Sequence, residues 1–432
     1  MKHLIVLCFL FLSTKSFSVE LNYSTDRLVI KTTPGASLPN HPLINNAKNL
    51  FKDYWVVFSS DIETLKKELS QNKSISSISY DHKSHKRELP QGEPTNLITN
   101  DEKNLTFNDP YLMNQWTFRD LEDHGMSITR TFANRRSSPK KEIIVAVVDT
   151  GVDFTHEDLP MWTNEGEIAG NGIDDDNNGY IDDIYGINTL VRDADGNATM
   201  NVMDTHNHGT HVSGSIAAIQ NNNIGITGIA SNAKIMAIRT VPNSSDETDV
   251  DVTEAFIYAA KNGAKIINCS FGKSNNERGM MVRDAINHIG EEYGVLVVAA
   301  AGNSMRNIDT YPAYPASFDS ENLLVVASTS SSGRFSYFTN YGLEGVDVAG
   351  PGSSILSTIP RNRYTNMSGT SMASPNVAGV AAEVLANYPD LKPTELKQIL
   401  MESSYQTPVY ASKIKSGGRV DLERALDRAT FY

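Results

Sequence analysis

Three runs between residues 143 and 303 are apolar at nearly every position: IIVAVVD at 143–149, KIINCSFG at 265–272 and GVLVVAAAGN at 294–303. A strand with one wet face alternates polar and apolar residues. A strand that does not alternate needs cover on both faces, the condition of a central strand in a parallel sheet with helices above and below. Asp149 ends the first run, Ser270 and Gly272 leave the backbone of the second uncluttered, and the third runs into Asn303. The C-terminal ends of such strands are where α/β sheets place functional groups. These runs predict an α/β fold with a mostly parallel sheet flanked by helices.

Two further stretches supply chemistry. HGTHVSGSIAAI, at 208–219, sets His208 at the head of an apolar, small-residue helix, with His206 and His211 close by. Zinc is the competing use of these histidines, but the HExxH pattern is missing and Gly209 stands in the place of its glutamate. YTNMSGTSMASPNVAG, at 364–379, mounts Ser371 at a helix end. If that helix starts near Met372, Pro375 falls in the first turn, where its missing N–H costs nothing. Ala373, Ala378 and Gly379 let the helix pack closely, and the positive end of its dipole favours negative charge at Ser371. Taken singly, Ser371 also reads as a helix cap, Asp149 as a loop start and Asn303 as a turn. Taken together, serine, histidine, aspartate and an amide donor are the inventory of acyl transfer by an activated serine.

VVDTGVD, HGTHVSG, AAAGNS and SGTSMASPNVAG, in that order, resemble the motifs of subtilisin-like serine proteases, the subtilases. The resemblance runs from NDPYLMNQW at 108–116 to GGRVDLERAL at 417–426, near the C-terminus, and implies a catalytic domain at 108–432. It implies that Ser371 attacks a peptide carbonyl, His208 moves the proton and Asp149 orients and balances the imidazole. It also implies an oxyanion site from Asn303 and the Ser371 N–H, and a substrate chain added as a strand along Ser270, Phe271 and Gly272. Pro315, in YPA at 314–316, is expected to be cis. Polypeptide substrates, no catalytic cofactor and a monomer follow from the same likeness. A catalytically silent fold used as a binding protein and an esterase are the rival readings.

The remaining stretches bear on maturation. Residues 1–18 carry Lys2 and His3, the run LIVLCFLFL and small residues at Ser16 and Ser18, the form of an export signal cut after Ser18. Export to the periplasm or the medium is expected. Cys269 then remains alone, so packing or bound metal must replace disulfides. The formal net charge of −13 argues against nucleic acid and anionic membranes as partners. Residues 19–107 read as a small α+β unit, with a strand at 54–60, a helix at 61–71 capped by Asp61 and a strand at 74–82. Its place before the catalytic region suggests a propeptide, and an independent small binding domain is the alternative. Residues 83–107, charged and poor in apolar side chains, read as an exposed linker.

GIDDDNNGYIDD, at 172–183, spaces Asp174, Asp176, Asn178 and Asp182 as in a calcium loop, but Tyr185 replaces the closing glutamate, so another segment must complete the site or affinity is low. An ion-free acidic loop is the alternative. The resemblance adds a second calcium site at Asp158, in HEDL, with Asn221 in the loop IQNNNIGI, which is one residue longer than usual. Asp246, Asp249 and Asp251 suggest either subsites for basic residues or a solvated turn. YPDLKPTELKQILMESS reads as a surface helix capped near Thr394, with no domain beyond it to suggest a surface anchor.

Overall fold

The computed structural model describes residues 22–83, 89–99, 106–274 and 280–432; the expected signal at 1–18 lies outside them. The N-terminal unit comprises β1 (Tyr23–Thr32), β2 (Asn46–Phe51), β3 (Tyr54–Phe58), α1 (Ile62–Leu69) and β4 (Ile75–His82). The expected strand, helix and strand are present, and Asp61 caps α1 by accepting from the Thr64 N–H at 3.0 Å. The sheet order β2-β3-β1-β4 adds two strands that the sequence pattern concealed, and β1 lies between β3 and β4. On β1, Leu28 and Ile30 pack under α1 while Val29 faces the opposite core.

The chain continues through α2 (Ile128–Ala133), β5 (Ile143–Asp149), β6 (Asn188–Arg192), β7 (Ala198–Thr199), α3 (His208–Ala217), β8 (Ala233–Arg239) and α4 (Asp249–Lys261). Then follow β9 (Ile266–Cys269), α5 (Met281–Tyr293), β10 (Leu296–Ala300), β11 (Leu323–Thr329), β12 (Val348–Pro351), β13 (Ile355–Ile359) and β14 (Arg363–Met367). After these come α6 (Thr370–Asn387), α7 (Pro393–Glu402), β15 (Tyr405–Gln406) and β16 (Gly418–Arg419). The large sheet has the order β15-β16-β12-β11-β10-β9-β5-β8-β6-β7, parallel from β16 to β6, with a short antiparallel strand at each edge. Alternate residues of β5 serve two cores, as a doubly covered strand requires: Val145 and Val147 meet α3 and α6, Ala146 and Val148 meet α4 and α5. Gly379 permits the close α3–α6 approach, since a Cβ there would lie 2.9 Å from Ile229 and 3.2 Å from the Ile216 carbonyl. Helix α7 starts at Pro393 with Lys392, not Thr394, as its cap, because Glu395 reaches back to the Lys392 N–H at 2.8 Å.

The N-terminal sheet lies on α4 and α5, and charges line the seam. Arg27 on β1 meets Asp81 at 2.6 Å and Asp251 at 3.3 Å, Arg192 meets Asp251 at 2.6 Å, and Lys48 meets Glu254 at 2.7 Å. Lys273 holds Asp249 at 2.6 Å. Asp249 and Asp251 are therefore not subsite residues for basic side chains, because their carboxylates are already paired in the first turn of α4; Asp246 is buried. The same pairing lets a strand as polar as β1 be covered, since buried charges persist only with partners.

Candidate active site

Asp149 ends β5, Ser270 follows β9 by one residue and Asn303 follows β10 by three, all at the C-terminal edge of the parallel sheet. His208 begins α3, and Ser371 is the second residue of α6. Because α6 starts at Thr370, Pro375 lies inside the helix and not in its first turn. The proline removes the bond that the Ser371 carbonyl would receive four residues back. That carbonyl accepts instead from the Ser270 hydroxyl at 2.8 Å, which ties the strand end to the nucleophile.

Asp149 Oδ1 lies 2.7 Å from His208 Nδ1 and accepts the Thr150 N–H at 2.7 Å, and both side chains are fully buried. A carboxylate at that distance places the imidazole proton on Nδ1 and leaves the Nε2 lone pair available. Among the described residues His208 Nε2 has no hydrogen-bond partner. The Ser371 hydroxyl rests on the Ser270 carbonyl at 3.0 Å, so a side-chain rotation precedes its contact with His208.

Asn303 Oδ1 accepts the N–H and the hydroxyl of Thr370 at 2.8 and 2.9 Å, which leaves its amide N–H groups for a developing oxyanion. Asn340 braces this loop, donating to the Ala301 carbonyl at 2.8 Å and accepting from the N–H groups of Ser304 and Arg306 at 3.0 Å. Gly302, at φ +100°, is required there, since an added Cβ would sit 2.5 Å from Asn340 Nδ2. Ser270, Phe271 and Gly272 line a cavity of about 300 Å³ with Asn303, Ala316 and Ser371. The Tyr314–Pro315 bond beside it is cis, as expected. A larger cavity of about 800 Å³, by Lys265 and Gly294, contains none of these groups. Thr370 lies inside the motif around Ser371 but is not singled out by it, and Asn340 carries no motif, so its position in three dimensions is what marks it.

His211 serves the fold. Its Nε2 faces the carbonyls of Ile355 and Thr365 at 2.9 and 3.1 Å, and burial, with His208 adding, pushes its pKa down to about 3.

Two groups of hard oxygen donors suit a divalent cation. Asp176 meets Glu167 and Asp183, with carboxylate oxygens within 4.8 Å of one another. The other expected ligands point elsewhere: Asp174 accepts the N–H groups of Asn178 and Gly179, and Asp182 those of Gly170, Asn171 and Gly172. The left-handed backbone at Asp182, φ +52°, accompanies its turn toward that glycine-rich loop. Asn178 donates to Asp176 and Asp183 at 3.1 and 3.0 Å. In the second group Asp158 is fully buried and accepts from Asn222 at 2.8 Å, from the Ile226 N–H at 3.1 Å and from Tyr364 at 3.1 Å. Asn222, not Asn221, is thus the side chain that reaches Asp158, while the Asn221 side chain accepts from the Asn108 N–H at 3.1 Å. Asp109, in the Asp-Pro step of the first 108–116 motif, joins the same loop through the N–H groups of Asn221 and Asn222. Burial, with Asp109 adding, pushes the Asp158 pKa up to about 7, a cost that a bound cation removes.

A model of the subtilase family matches residues 140–425. "Subtilisin-like protease 1" of Plasmodium berghei (strain Anka) is 33% identical over 352 residues, covering 76% of this chain and 56% of its own. The "Thermophilic serine proteinase" of Bacillus sp. (strain AK1) is 41% identical over 238 residues, 55% of this chain and 51% of its own. The chain thus spans about half the length of these two relatives. A solved structure of a protease from Pseudoalteromonas arctica superposes with a TM-score of 0.61 at 27% identity, covering 75% of this chain and 99% of that one.

Proposed function

The chain belongs to the subtilase family of serine peptidases, and from that premise we propose that it is an exported endopeptidase made as a zymogen, residues 19–107 serving as propeptide and linker. The observation that carries this reading is the 2.7 Å Asp149–His208 contact, which leaves a buried Nε2 with no partner among the described residues, at the sheet edge that also carries Ser371 and Asn303. Ser371 Oγ gives its proton to His208 Nε2 as it attacks the peptide carbonyl. The oxyanion is received by the Asn303 amide and the Ser371 N–H. His208 returns the proton to the leaving amine, and water then hydrolyses the acyl-enzyme. Asp149 stabilises the imidazolium throughout.

Casein hydrolysis by the processed chain tests this. Asn303→Ala is expected to lower kcat by about a hundred- to a thousandfold, the loss known for this donor in subtilisin, with KM within a few-fold of wild type. Casein left intact by the wild-type chain would favour a silent binding protein instead.

Calcium is the cation proposed for both donor groups, Asp109, Asp158 and Asn222 in one and Glu167, Asp176 and Asp183 in the other. Its part is to stabilise the fold, which matters in an exported chain with one remaining thiol. A site held at a thousandfold excess over Kd adds about 4 kcal/mol. Chelation is therefore expected to lower the Tm by roughly ten degrees, and Asp158→Asn to show a smaller drop. An unchanged Tm on chelation contradicts this.

No helix among the described residues is long and apolar enough to cross a membrane. Export is inferred from the apolar N-terminal run alone.

A further inference from the structure

Asn303 stands beyond the last residue of β10, Ala300, so the sheet ladder does not fix its main chain. The backbone between them turns at Gly302 through φ +100°, a conformation that glycine enters freely and that needs outside support to stay put. That support comes from a segment remote in sequence. Asn340 is only 4% exposed, its side-chain Nδ2 donates to the Ala301 carbonyl at 2.8 Å and its own N–H donates to the Gly302 carbonyl at 2.8 Å. Its Oδ1 accepts the N–H groups of Ser304 and Arg306, both at 3.0 Å. Two of these bonds fall before Asn303 in the chain and two after it. The neighbours of Asn340 extend the pairing, since the Met305 N–H donates to the Phe338 carbonyl at 2.8 Å and the Tyr341 N–H to the Arg306 carbonyl at 3.0 Å. Asn340 is itself tied to the large sheet: its carbonyl accepts the Thr339 hydroxyl at 3.0 Å, and that hydroxyl accepts the Ser328 N–H of β11 at 2.9 Å.

We propose that Asn340 is a positioning residue for peptide-bond cleavage: it holds the main chain on both sides of Asn303, so that the Asn303 amide meets the oxyanion as it forms. This rests on the reading above, in which Asn303 is the side-chain donor to the oxyanion. Such a donor accelerates the reaction only if it is fixed in place before the charge develops. Thr370 fixes the Oδ1 end of the Asn303 side chain, and Asn340 fixes the backbone from which that side chain springs. Both ends of the Asn340 amide are needed. A carboxylate there keeps the shape and the acceptor for Ser304 and Arg306, but it has no hydrogen to give the Ala301 carbonyl and repels that oxygen. Because Asn340 also lines the cavity with Ser371 and Asn303, the competing role is direct contact with the substrate, which would show in KM.

The test is a double-mutant cycle on a peptide substrate: wild type, Asn340→Ala, Asn303→Ala and Asn303→Ala/Asn340→Ala, each variant processed by tagged wild-type enzyme that is then removed. Rates are expressed per site labelled to completion by a sulfonyl fluoride at Ser371, so unfolded chain does not count. Asn340→Ala is expected to lower kcat by about a hundredfold, the cost of a donor displaced by about 1 Å, with KM little changed. In the Asn303→Ala background the same substitution is expected to lower kcat by no more than about twofold, because the group it positions is gone. Asn340→Asp, alone and with Asn303→Ala, keeps the side chain's volume, is expected to repeat the result and stands in if the alanine chain does not fold. A peptide boronate, whose tetrahedral adduct puts an oxygen in the oxyanion position, is expected to lose affinity in step with kcat. An equal kcat loss in both backgrounds, a change confined to KM, or wild-type kcat in Asn340→Ala or Asn340→Asp overturns the positioning role alone, provided Asn303→Ala is slow. Asn303→Ala at the wild-type rate, or a wild-type chain inert on the peptide, overturns the reading of the site and the role of Asn340 with it.

Discussion

Ser371→Ala is expected to abolish both self-processing and casein cleavage, with kcat falling by about a millionfold, the loss known for this serine in subtilisin. The reason is geometric. Ser371 is presented by the first turn of α6, one residue after the Thr370 that fixes Asn303, so the attacking oxygen and the oxyanion donors are positioned by the same turn. Stability should scarcely change, because the hydroxyl's hydrogen bond among the described residues, to the Ser270 carbonyl at 3.0 Å, is worth about 1 kcal/mol. A melting temperature near wild type beside a lost kcat separates a missing nucleophile from a misfolded chain.

Asp149→Asn is expected to lower kcat by about ten-thousandfold with little change in KM. The substitution keeps the shape of a fully buried side chain and removes its charge. When His208 takes the serine proton, the imidazolium forms at a position with no exposure to water, and Asp149 is the carboxylate in contact with it, at 2.7 Å. Without that charge the cation is uncompensated in a medium that strongly penalises it. An amide that turns its NH₂ toward Nδ1 would also force the ring proton onto Nε2, where it blocks proton transfer. Steady-state kinetics on a peptide substrate give the answer: a loss confined to KM, or a loss of folding with normal kcat, contradicts a catalytic role for Asp149.

The central sheet could be read from the sequence because its strands are covered on both faces. Val145 to Val148 have no polar position to hide the pattern, and the groups that act follow directly on such runs. Residues were harder to read where burial depends on partners remote in sequence. β1 carries Asp26, Arg27 and Lys31, and no periodicity announces that Arg27 is covered by Asp81 and Asp251. The same long-range pairing removed Asp249 and Asp251 from the substrate side. Which carboxylates gather is decided by loop geometry, which turned Asp182 to backbone N–H groups and brought Glu167 and Asp183 to Asp176. In the loop after α3, Asn222 and not Asn221 turned toward Asp158. Residues 89–98, read as exposed linker, escaped because what holds them is remote in sequence: Leu89 is buried in the apolar cluster of Phe271 and Ala316, and Glu93 bonds to Asn366 and Ser368.

The most direct test of the account is a time course of the purified full-length chain, wild type beside Ser371→Ala, with calcium present, followed by intact mass and by cleavage of unfolded casein. The account predicts that the wild type sheds its N-terminal unit and gains activity as it does so, while Ser371→Ala stays intact and inert. Casein cleavage that persists at wild-type rate in Ser371→Ala would contradict it.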